Sequence, residues 1–114
     1  MSTLRLHTQQ TVTFASGGAT SGAINLSGAQ AGSWVTAGGT FEPTTVKFQG
    51  SDGVGGTYTD IYDKTGAAVT MATAAISKAF SFPPEVFAFP FIKIVGTVGG
   101  NVAADRTITV FLAA

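Results

Sequence analysis

Thr107-Ile108-Thr109-Val110-Phe111-Leu112 decides the fold class. Ile108, Val110 and Leu112 alternate strictly with Thr107, Thr109 and Phe111, which is the period of two of a strand with one face buried. A helix would place its apolar residues three and four apart. The same period recurs towards the N-terminus. Val12 and Phe14 alternate with Thr11 and Thr13, and Ile24 and Leu26 flank Asn25. Val46 and Phe48 alternate with Thr45, Lys47 and Gln49, Phe80 and Phe82 flank Ser81, and Ile92 and Ile94 flank Lys93. Threonine, the commonest polar partner, is β-branched and suits a half-exposed sheet face.

Turn clusters separate these runs: Ser16-Gly17-Gly18, Gly38-Gly39, Ser51-Asp52-Gly53 with Gly55-Gly56, Lys64-Thr65-Gly66, Pro83-Pro84 and Gly99-Gly100-Asn101. Glycine supplies positive φ, proline fixes φ, and Asp and Asn bond their own backbone. About eight strands follow, near residues 10–15, 21–27, 44–49, 57–62, 67–71, 78–82, 91–98 and 106–112. Short strands so spaced indicate an all-β antiparallel sandwich or barrel. Two segments stay ambiguous. In 57–62, either Tyr58 and Tyr62 or Ile61 face the core. In 67–79, the alanines permit a helical turn, whereas Val69, Thr70, Thr73 and Ile76 oppose one.

The 114 residues make one domain, with residues 1–9 as an N-terminal arm and 10–114 as the β domain. Leu4, Arg5 and Leu6 give that arm a short alternation. It is read either as a frayed end or as a strand added to a neighbour's sheet edge.

Charge is scarce. Only 11% of the residues are charged, the formal net charge is zero and there is no cysteine, against roughly 25% charged in an ordinary soluble domain. A surface with so little charge repels its neighbours weakly, and zero net charge favours association. The chain therefore reads as one that works packed against other subunits. With Lys and Arg balanced by Asp and Glu there is no footprint for nucleic acid. No apolar run reaches the ~20 residues of a membrane span, and Met1 to Gln10 contain no apolar core of a signal peptide.

Catalytic chemistry finds few carriers. His7 is the single histidine and lies in the arm, where nothing in the sequence orients it as a triad would require. The usual zinc ligand set is missing. Asp52, Asp60 and Asp63 cluster around a glycine-rich turn but lack the spacing of an EF-hand and double as turn formers. Glu42, Asp60, Asp63 and Glu85 show no pairing of the kind a glycosidase needs. Residues 50–56 lack the Gly-Lys-Ser/Thr of a phosphate loop and read as a hairpin connection. No catalytic residue, metal site or cofactor is expected. Phe87 and Phe89 lie between Pro84 and Pro90 in an apparent loop, and there they fit either core packing or interface anchoring. A carbohydrate platform would draw on Trp34 and the tyrosines.

Val46 to Gly53, then Thr57-Tyr58-Thr59-Asp60-Ile61-Tyr62-Asp63 and Gly66, resembles a stretch of small virion proteins of tailed bacteriophages. Phe91 to Thr97, Ala103 to Val110 and Ser21 to Gly28 are similar to further segments of those proteins. The segment Ala31 to Phe41 departs from their proline-containing lead-in and is read as a loop. The resemblance implies a jelly-roll-like β-sandwich on the capsid surface of a virion. It points to a cement or decoration protein, homotrimeric, that binds the major capsid protein. Leu4, Arg5 and Leu6 of the arm, Phe87 and Phe89, and a register-setting charge pair at Asp105 and Arg106 are then the expected contacts. Another virion role (head spike, fibre base or tail component) and a carbohydrate-binding module are the alternatives.

Overall fold

The computed structural model describes residues 7–36, 40–73 and 79–114. They form an all-β sandwich of two antiparallel sheets. The strands are β1 (His7–Phe14), β2 (Ile24–Asn25), β3 (Ala31–Thr36), β4 (Thr45–Ser51), β5 (Thr59–Asp60), β6 (Thr70–Ala72), β7 (Ala79–Ser81), β8 (Phe91–Val98) and β9 (Arg106–Ala113). A 3-10 turn, Pro84–Ala88, joins β7 to β8.

The pairing is nested. β1 pairs with β9, β2 with β8, β3 with β7, and β4 with both β5 and β6. The chain thus makes one long antiparallel ribbon folded back near its middle. Two further pairings, β3 with β9 and β4 with β8, close the ribbon into sheets. One sheet has the order β1-β9-β3-β7, and the other runs β2-β8-β4 with β5 and β6 side by side on the far edge of β4. Successive arms of the ribbon fall in alternate sheets, which is the wrapping of a jelly roll.

The alternation that predicts the strands also fills the core. Phe14, Ile24, Val46, Phe48, Ile92, Ile94, Ile108 and Val110 are completely buried between the sheets. Towards one end, Phe41 stands edge-on to Phe14 and Trp34, with centroids 5.1 and 6.0 Å away. Towards the other, Phe82 stands edge-on to Phe48 and Phe87, each 6.1 Å away. Edge-to-face pairs add about 0.5–1.5 kcal/mol each beyond their buried area.

Two sequence expectations are corrected. Ala31 to Thr36, read as loop, is β3, an interior strand of the first sheet. Its inward positions are Gly32, Trp34 and Thr36, so only one of three carries a large apolar side chain and the period is masked. Glycine is required there: a Cβ on Gly32 would come within 2.7 Å of Leu112 Cδ2 and 2.9 Å of the Phe111 carbonyl oxygen. Secondly, β1 begins at His7 and its pairs His7↔Ala113, Thr8↔Leu112 and Gln9↔Phe111 lie inside the domain. Residues 7–9 therefore belong to the sheet rather than to an arm. Leu4, Arg5 and Leu6 lie outside the described residues. Of the two readings of 67–79, the strand expected near 67–71 is present as β6, after which the Thr73 hydroxyl donates to the Pro43 carbonyl at 2.9 Å. Residues 74–78 lie outside the described residues.

The ambiguity at 57–62 resolves to Ile61. It is 4% exposed, against 58% for Tyr62. Its N–H donates to the Phe48 carbonyl and its carbonyl accepts from Val69, so the side chain turns inward between β4 and the start of the β6 arm.

Candidate functional site

Among the described residues, six of the ten charged side chains, Glu42, Lys47, Asp60, Asp63, Asp105 and Arg106, bond within the fold. Glu42, just before β4, grips the start of β9. Its Oε1 accepts from Arg106 Nε at 2.9 Å, and its Oε2 accepts from Arg106 Nη2 at 2.6 Å and from the Ala103 N–H at 3.0 Å. The Arg106 fork and then the Ala103 N–H hold the Glu42 carboxyl down to about 2. The same contact holds the Arg106 guanidinium above its ordinary range. Arg106 is thus paired with Glu42, not with Asp105 as the sequence suggested. Asp105 Oδ1 instead accepts from the Ser16 N–H at 2.8 Å, tying the start of β9 to the turn after β1.

On the outer face of the second sheet, Asp60 accepts from Gln49 Nε2 at 2.9 Å and from Lys47 Nζ at 3.0 Å. Those two donors, Gln49 first, lower the Asp60 carboxyl. Lys93 Nζ lies 4.4 Å from the centre of the Tyr58 ring, a cation–π contact. Asp63 closes its own turn: Oδ1 accepts from the Thr65 hydroxyl at 2.6 Å, the Thr65 N–H at 2.8 Å and the Ala67 N–H at 3.1 Å. Thr65 is the chief cause of its lowered pKa. Among the described residues, no three acidic or imidazole groups converge.

The expected aromatic sites also turn inward. Phe87 and Phe89 are half-buried and packed on the core, Phe87 against Phe82 and Phe89 across the backbone of Gly50. Both help to wall the core and keep part of each ring accessible. Trp34 is fully buried, so it offers no platform to a sugar.

The first sheet presents a different surface. The register aligns Gln9, Phe111, Ser33 and Ser81 in one outward row and Thr11, Thr109, Val35 and Ala79 in the next, with Thr13 opposite Thr107 beyond them. These positions carry no Asp, Glu, Lys or Arg. Phe111 stands out of the face, 43% exposed. Beside it lies a shallow open hollow of about 270 Å³ lined by Ala31, Gly32, Ser33, Phe111, Leu112 and Ala113. Phe111 was not among the expected contacts, although its signal was visible. It is an aromatic in the outward phase of a strand whose other outward positions are threonines.

No known protein family, curated protein or solved structure matches this chain.

Proposed function

We propose that the chain is a structural subunit of a tailed-bacteriophage head, a cement or decoration protein that binds the assembled shell of the major capsid protein. The observation that carries this reading is the disposition of charge. Glu42 with Arg106, Lys47 with Asp60, Asp63 with its own turn and Asp105 with Ser16 are all engaged within the domain. A neighbour that docks away from the remaining charges among the described residues, Asp52, Lys64, Glu85 and Lys93, therefore desolvates few free ions, and desolvation is the chief cost of a charged interface. The jelly roll supports the reading, because that architecture recurs in viral capsid domains. It occurs equally in lectin domains, so topology alone does not assign the function. The bacteriophage resemblance of Val46 to Asp63 and Ala103 to Val110 favours the capsid over the lectin, and the burial of Trp34 weighs against a sugar platform.

A cement protein acts by mass action. A ligand of the assembled shell that does not bind free subunits stabilises the shell by RT ln(1 + [L]/Kd). The test is co-sedimentation of the purified protein with empty phage heads and, separately, with unassembled capsid subunits. Binding to heads alone, with a rise in their disruption temperature, is expected. No binding to heads overturns the reading.

A further inference from the structure

We draw no further inference here: the strongest candidate, the cleft of about 160 Å³ lined by Thr8, Gly28, Ala29, Leu112 and Ala114, where the start of β1 and the end of β9 meet the turn after β2, carries none, because nothing in the structure shows what covers it.

Discussion

The Phe89 ring lies across the backbone of Gly50, so close that a Cβ at residue 50 would sit 2.6 Å from Phe89 Cδ1 and 2.7 Å from Cδ2. Gly50 is buried in β4, opposite Ile92 on β8. The ring therefore takes the place of the side chain that β4 lacks at this point. It also anchors the segment that returns from the 3-10 turn into β8. Gly50→Ala should cost about 1–3 kcal/mol by overpacking, and Phe89→Ala about 2 kcal/mol by opening the space the ring fills. The double variant Gly50→Ala/Phe89→Ala should cost less than the sum of the two, because the new methyl occupies part of the vacated volume. Urea denaturation of the four proteins checks this; additive or more than additive losses would show that the two positions do not share one space.

Ile61 and Tyr62 are neighbours with opposite fates. Ile61→Ala removes buried methyl groups between Phe48 and Val69 and should cost about 2–4 kcal/mol. Tyr62→Ser alters an exposed ring and should stay within about 0.5 kcal/mol of the parent. Equal losses in thermal or chemical denaturation would place the tyrosine, not the isoleucine, on the inner face.

The Glu42–Arg106 contact makes stability depend on pH. The Glu42 carboxyl, ordinarily near 4.5, is held down to about 2 in the fold. A depressed folded pKa contributes stability that is complete above the unfolded value and is lost as pH falls towards the folded one. The parent should therefore melt higher than Glu42→Gln at pH 6 to 7. The gap should narrow between about pH 4.5 and 2 and close below that window, where both side chains are neutral. Asp60 and Asp63 are lowered too, but they titrate equally in both proteins and drop out of the comparison. Melting curves from pH 2 to 7 decide it, and a gap independent of pH would remove the charge from the explanation.

The fold was legible wherever alternation sets large apolar residues against threonine, as in β1, β4, β8 and β9. It was illegible in β3, where glycine and threonine occupy inward positions. No local pattern reveals that Gly32 faces Leu112 of β9 and Phe82, just after β7. The charged contacts were hidden for the same reason. Glu42 and Arg106 are 64 residues apart, and the nested ribbon brings them together. Sequence proximity pointed instead to Asp105 beside Arg106. Phe87 and Phe89 looked exposed because prolines flank them, but the 3-10 turn rotates both rings onto the core. The neutral face follows from strand register, which becomes readable once β3 is recognised between β9 and β7.

The start of β1 gives a last test. His7, Thr8 and Gln9 pair with Ala113, Leu112 and Phe111, so cutting the chain before Gln10 removes three rungs of the β1–β9 ladder. Such backbone hydrogen bonds contribute about 0.5–1.5 kcal/mol each, and Leu112, buried in the intact domain, loses the strand that covers it on that side. A chain beginning at Gln10 should therefore be less stable than one beginning at His7 by about 1–3 kcal/mol. Amide exchange at Phe111 to Ala113 should quicken with it. β9 keeps its other neighbour, β3, across Ala31 to Thr36, so the shortened chain should still unfold cooperatively. Equal stability of the two chains would mean that residues 7–9 act as a loose arm and that the sheet begins at Gln10.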